Sequence, residues 1–85
     1  MEIKFHKKFQ KAFLKQPKSV QEKFKKIIFS FSEDEFHYLL NNHALTGKFK
    51  MMRSINITGD VRVHYTKDST HVILMNIGTH AQLYG

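Results

Sequence analysis

The sequence predicts an α+β fold: two N-terminal helices packed on one face of a small, mostly antiparallel sheet, in the order β-α-α-β-β-β. Three observations carry that prediction. Apolar residues recur at helical spacing through residues 5–31, alternate with polar ones over 61–66, and form a nearly unbroken run over 71–77. The chain has 85 residues, enough for one small domain over 1–85 and no more. That size excludes a doubly wound dinucleotide fold, a TIM barrel and any two-domain enzyme, and it confines an active site to a shallow surface groove. Eight Phe and no Trp point to a core built on phenylalanine.

Glu2 to His6 alternates, with Ile3 and Phe5 on one side, which suits a first strand. Phe5, Phe9, Ala12 and Phe13 then fall at helical spacing, and this helix should end before Pro17. Ser19-Val20-Gln21-Glu22 has the pattern of a capping box opening a second helix over about 19–31, whose inner stripe is Val20, Phe24, Ile27, Ile28 and Phe31. Ser32 to Glu35 reads as a polar exit with solvent-facing acids. Residues 36–47 lack periodicity and are expected to be a partly extended connection with Leu39, Leu40 and Leu45 pinned to the core.

Three strands should follow. Residues 48–57 form the first, closed by a Thr58-Gly59-Asp60 turn. Val61, Val63 and Tyr65 alternate with Arg62, His64 and Thr66 in the second. His71 to Ile77 is apolar enough for a strand covered on both faces, and a short tail follows Gly78-Thr79-His80. With both helices on one face, the other face of the sheet stays open for a surface site.

The net charge of +7 is unevenly placed. Residues 1–26 carry nine lysines and two acids, whereas 27–85 carry five residues of each sign. Such a block favours a polyanion or an acidic protein partner, although a solvated lysine face explains it equally well. Cysteine is absent, which removes disulfides and thiolate metal sites. The N-terminus lacks a signal-peptide pattern and the longest apolar stretch is far too short to span a membrane, so a cytoplasmic protein is expected.

The usual chemical motifs are missing. There is no phosphate loop, no G-x-G-x-x-G, no nucleophile elbow, and no His pairing at metal-ligand spacing, so neither cofactor nor metal is expected. What remains is His43, Lys48, Lys50, Arg53, Asp60, Arg62, His64, His80 and Tyr84. Imidazoles, a carboxylate and arginines suffice to cleave RNA. A base takes the 2′-hydroxyl proton, an acid protonates the 5′-oxygen, and fixed cations hold the phosphate.

The spacing of four segments is more specific: His43-Ala44-Leu45-Thr46-Gly47, Arg53-Ser54, Gly59-Asp60-Val61-Arg62, and Gly78-Thr79-His80-Ala81-Gln82-Leu83-Tyr84. Together they resemble the YafQ branch of the RelE/ParE toxin superfamily, across essentially the whole chain. The resemblance implies a small RelE-like fold and the toxin of a type II toxin–antitoxin pair. It implies a ribosome-dependent endoribonuclease that cuts mRNA without a metal. Its partners would be a cognate antitoxin, the ribosome and mRNA; the toxin alone would be a monomer and would form a hetero-oligomer with its antitoxin.

Carried over by residue, the resemblance makes His43 a base or phosphate ligand, Asp60 a catalytic aspartate, His80 the general acid and Arg62 a phosphate-binding arginine. Tyr84 would stack on a base, and Arg53 matches the arginine of an Arg-Ser or Arg-Asp pair. Lys48, Lys50 and Asn56 complete the RNA-binding set. Two positions depart from the family pattern: Asn56 stands where a histidine is usual, and Asn76 where an arginine is usual. Asparagine takes no proton at neutral pH. His64, on the same side of its strand as Arg62, is then a substitute base. The alternatives are a non-enzymatic inhibitor of DNA gyrase of the ParE kind, which has no use for two such histidines, and a degenerate toxin that only binds its antitoxin. His6, His37 and His71 read as structural.

Overall fold

The computed structural model describes residues 2–85. Eight main elements follow one another along the chain: β1 (Glu2–Phe5), α1 (Lys7–Leu14), α2 (Lys18–Glu33), β2 (His43–Ala44), β3 (Arg53–Asn56), β4 (Val61–Lys67), β5 (His71–Thr79) and α3 (His80–Tyr84). The strands form one five-stranded sheet in the order β1-β5-β4-β3-β2. β1 runs parallel to β5, and every other pairing is antiparallel. The Cα radius of gyration is 11.8 Å.

Both N-terminal helices form as their apolar spacing requires. His6 caps α1, its Nδ1 accepting from the Lys8 N–H at 3.0 Å. Phe9 is buried, and Ala12 and Phe13 pack beside it. α2 buries Val20, Phe24 and Phe31. Phe9 and Phe13 stack at 5.9 Å, and other rings meet edge to face or tilted: Phe9–Phe24 at 5.4 Å, Phe13–Phe24 at 5.3 Å, and Phe31 against Tyr65 at 5.0 Å. The expected Ser19 capping box does not form. Pro17 takes the cap position, and its carbonyl accepts from Val20 and Gln21. Helix α2 therefore begins at Lys18, which puts Ser19 inside the first turn, where its hydroxyl no longer stands at the cap.

Val61, Val63 and Tyr65 of β4 face the core, as their alternation predicts. In β5 the buried apolar side chains are Val72, Leu74 and Ile77, a spacing that changes from two to three. The register shifts there: His64 pairs with Asn76, but Tyr65 pairs with Leu74. The shift keeps all three apolar residues on one face. Ile73 and Met75 remain half-buried, so β5 is not covered equally on both sides.

Three stretches differ from expectation. Between α2 and β2 the chain makes a 3-10 turn over Tyr38–Leu40 and passes through Asn41 at φ 48°. Leu40 is buried there, but Leu39 points outward with 63% of its surface exposed. The strand expected over 48–57 shrinks to Arg53–Asn56, because Gly47 at φ 65° starts a 3-10 turn over Gly47–Phe49. The expected tail is helix α3, which packs against β5 and covers part of the face expected to be open. No helix among the described residues is long and apolar enough to cross a membrane.

Candidate active site

The site grows from three backbone turns. In the β3–β4 turn, the Thr58 hydroxyl accepts from the N–H groups of Asp60 (3.2 Å) and Val61 (3.0 Å). The Arg62 guanidinium folds back over the same turn, with Nη1 donating to the carbonyls of Thr58 (3.1 Å) and Gly59 (2.9 Å). Asp60 and Arg62 are thereby held at one rim. At the sheet edge, His43 Nδ1 lies 2.9 Å from the Asn41 carbonyl. A carbonyl only accepts, so Nδ1 carries a proton, and in the neutral ring the lone pair is on Nε2.

The third turn joins β5 to α3. The Thr79 hydroxyl accepts from the Gln82 N–H (3.2 Å), while Gln82 Oε1 accepts from the Thr79 N–H (2.9 Å), a complete capping box. Gly78 makes room for it. A Cβ at Gly78 would sit 2.8 Å from Gln82 Oε1 and 2.9 Å from Gln82 Cβ. The box sets His80 in the first turn of α3, its ring 4.6 Å from that of Tyr84.

These turns enclose an open cleft of about 540 Å³ lined by His43, Ser54, Asp60, Arg62, His80 and Tyr84, with Gly59, Thr79 and Ala81 between them. Two imidazoles, a carboxylate, a guanidinium and a phenol thus share one hollow. His64 lies beneath it, 1% exposed. Its Nε2 is 3.1 Å from the Tyr84 hydroxyl, and its ring meets Phe49 and Tyr84 edge to face. Burial, with a smaller contribution from His43, holds the His64 pKa below the usual histidine value. Its Nε2 is engaged with the Tyr84 hydroxyl and the buried ring does not line the cleft, so the expectation that His64 replaces the missing base is not met. Among the described residues no group of three or more His, Cys, Asp or Glu side chains is placed to hold a metal ion.

Residues 1–85 match the family described as bacterial toxin of type II toxin–antitoxin system, YafQ. The chain belongs to the YafQ toxin family. It is similar in fold to E. coli YafQ, with a TM-score of 0.85 at 19% identity over 99% of this chain and 98% of that one. It resembles YafQ in the E. coli DinJ–YafQ toxin–antitoxin complex at TM-score 0.81 and 20% identity, covering 99% and 97%. A copper-bound mutant toxin from Helicobacter pylori matches at TM-score 0.74 and 27% identity over 99% of both chains. Comparison with curated protein sequences found no match.

Four of the nine nominated residues of this YafQ-family toxin lie outside the cleft lining: Lys48, Lys50, Arg53 and Asn56. Lys48 and Lys50 are exposed on the turn after β2, with the Lys48 ammonium 5.2 Å from the Phe49 ring centroid. Asn56 pairs with Arg62 across β3 and β4, and its buried Oδ1 has no hydrogen-bond partner. Arg53 turns to the other face. Its Nε donates to Asn42 Oδ1 at 2.8 Å, and its guanidinium stacks over Phe36 at 5.3 Å. Glu35 lies in the same network, accepting from the Tyr65 hydroxyl and the Lys67 ammonium, both at 2.7 Å.

Glu35 is therefore no solvent-facing acid. Burial pushes its pKa up, but the hydrogen bonds from Lys67 and Tyr65 and the charges of Lys67 and Arg53 outweigh that and hold it below the usual value. His6 and His37 serve as caps, and His71 pairs with Glu2 at 2.8 Å.

Proposed function

We propose that this toxin is an endoribonuclease that cleaves mRNA on the ribosome and so arrests translation, and that a cognate antitoxin restrains it. The observation that carries the reading is the convergence of His43, Asp60, Arg62 and His80 on one cleft. His43 Nε2, its tautomer set by the Asn41 carbonyl, takes the proton from a 2′-hydroxyl. The 2′-oxygen attacks the phosphorus, and the bond from phosphorus to the 5′-oxygen breaks. His80 hands its proton to that leaving oxygen. A 2′,3′-cyclic phosphate and a 5′-hydroxyl result.

Arg62 retains guanidinium donors beyond the Nη1 that holds the turn, and these stabilise the charge that builds on the phosphate. Asp60 steadies the imidazolium formed at His43. Tyr84, braced by His64 from below, offers a ring on which a base stacks. The missing histidine at Asn56 is then no obstacle, because the base and the acid come from His43 and His80. The fold likeness to YafQ in the DinJ–YafQ complex supports an antitoxin partner.

The test is to induce the protein in cells and map transcript 5′ ends with translation running and with it blocked. The expected result is growth arrest with in-frame cuts that vanish when translation stops, and neither effect with His80→Ala. Supercoiling defects with intact mRNA would replace this reading with gyrase inhibition.

A further inference from the structure

Helix α3 has a second side. His80 and Tyr84 face the cleft, but Gln82 faces a separate groove of about 460 Å³ between α3, β5 and α1. Lys8, Lys11, Lys15 and Gln16 line one wall of this groove, and Asn76 and Gln82 line the other. No carboxylate lines it. The three lysines lie on one face of α1 and the residue that caps it. At about 1.5 Å of rise per residue they span roughly 10 Å, the length of about three nucleotides of a stacked strand at ~3.4 Å each.

The amides on the floor have a fixed orientation. Gln82 Oε1 accepts from the Thr79 N–H and from Gln16 Nε2 (3.3 Å), and Asn76 Oδ1 accepts from the Ile77 N–H (2.9 Å). A backbone N–H only donates, so neither amide can be flipped without losing its bond. Both therefore turn their NH₂ groups outward, and among the described residues neither NH₂ has a partner. The groove presents cations and donors, the surface an anion requires.

We infer that this groove is a phosphate tract that grips the RNA strand on one side of the bond cut in the cleft. Lys8, Lys11 and Lys15 pair with successive phosphates, and the NH₂ groups of Asn76 and Gln82 donate to the phosphate oxygens nearest α3. The inference rests on the nuclease reading of the cleft, because only the width of α3 separates the two hollows. An acidic protein segment fits less well. An amphipathic helix needs a footing of large apolar side chains, and the only apolar side chains lining this groove are Ala12 and the buried Ile77. The chain offers that footing elsewhere, around Phe5, Phe9, Phe13 and Phe24.

The test uses 2′-O-methyl RNA, whose blocked hydroxyl prevents cleavage. Two oligomers are compared, one short enough to fill the cleft alone and one long enough to reach both hollows. Binding is followed by fluorescence anisotropy over a salt series for the wild type, for Lys8→Gln/Lys11→Gln/Lys15→Gln, and for a control lacking the same charge on α2, Lys18→Gln/Lys23→Gln/Lys26→Gln. The groove triple should bind the long oligomer at least tenfold more weakly. Its log–log salt slope should be shallower by about 2 for three contacts of ~0.7 each. Its affinity for the short oligomer should match the wild type, as should both affinities of the control.

Equal losses in the two triples, or for the two oligomers, would reduce the effect to diffuse charge and overturn the tract. So would unchanged RNA binding coupled to weaker capture of an acidic helical peptide. The nuclease reading stands or falls separately. A triple that still cuts mRNA in cells and binds both oligomers like the wild type refutes the tract alone. A length-dependent loss in a protein that cuts nothing refutes the nuclease alone.

Discussion

Glu35 and Asp60 are both carboxylates beside the same two strands, and their surroundings are opposites. Glu35 accepts from Tyr65 and Lys67 and feels the charge of Arg53, which is itself bonded to Asn42. Tyr65 closes the circuit by accepting from Asn42 Nδ2 at 2.6 Å, and burial first, then the bond to Glu35, raises its pKa far above the usual phenol value. Each charge in that network is engaged by another part of the chain. Asp60 lies on an exposed turn, and among the described residues its carboxylate meets no donor. His80 is likewise without a hydrogen bond from its ring, and His43 uses only one nitrogen. Paired groups hold β3, β4 and the segment after α2 together. Unpaired groups of the same kinds, gathered in a hollow, are available to a substrate. Arg53, nominated beside the cleft residues, belongs to the first class.

Substitutions on the two sides should therefore separate activity from stability. The largest effects belong to the cleft. His43→Ala and His80→Ala should each lower cleavage by ~10²–10⁴ and leave thermal melting unchanged, because both side chains are exposed. Loss of melting temperature in step with activity would show that the histidines are structural.

Glu35→Ala should do the reverse. It leaves Lys67 unpaired and the buried Tyr65 hydroxyl without one partner, a cost of about 1–3 kcal/mol. In a chain of this size that lowers the melting temperature by about 4–8 °C for each kcal/mol. Cleavage per folded molecule should not change. Arg53→Lys is a finer version. It keeps the charge but loses the Nε–H donated to Asn42, which should cost about 0.5–1.5 kcal/mol with no loss of cleavage. A drop in cleavage at constant stability would return Arg53 to the RNA-binding set.

How far the sequence discloses these two sides depends on the range of the interaction. The Phe9–Phe24–Phe31 stripe and the Val61–Val63–Tyr65 alternation are local patterns, and the core follows them. The gathering of His43 with His80 is not local. It depends on a two-residue edge strand, too short to leave a periodic trace, and on a turn into α3. That turn does carry a signal: Thr79-x-x-Gln82 has the same capping pattern as Ser19-x-x-Glu22. The fold uses the later one, because at the earlier one Pro17 already occupies the cap, while Gly78 leaves the space that Gln82 needs. The burial of His64 is hidden from strand alternation, which places it beside Arg62 on an outer face. Phe49, from the turn after β2, and Tyr84, from α3, cover it. The Glu35 network is hidden for a similar reason, since Tyr65 and Lys67 stand 30 and 32 residues away in sequence.

The smallest expected effect distinguishes the two sides by pH. Both Glu35 and His64 have lowered pKa values, but the charged form is favoured in one and disfavoured in the other. For Glu35 the folded state binds its proton less readily than the unfolded chain. Its contribution is complete above the ordinary 4.5 and is lost as the pH falls through the lower folded value. For His64 the folded state also resists protonation, here because the buried imidazole must stay neutral. Its contribution is complete above the ordinary 6.5 and is lost as the pH falls below that, until the folded ring itself takes the proton. Acidification should therefore weaken the fold in two stages, the first from beneath the cleft and the second from the network. His64→Gln keeps a partner for the Tyr84 hydroxyl and removes the titration. It should flatten the first stage of a melting-temperature profile and leave the second intact, whereas Glu35→Ala should flatten only the second. A His64→Gln profile that falls below pH 6.5 as steeply as the wild type's would mean that the buried ring carries no such penalty, and that Tyr84 is held over the cleft by packing alone.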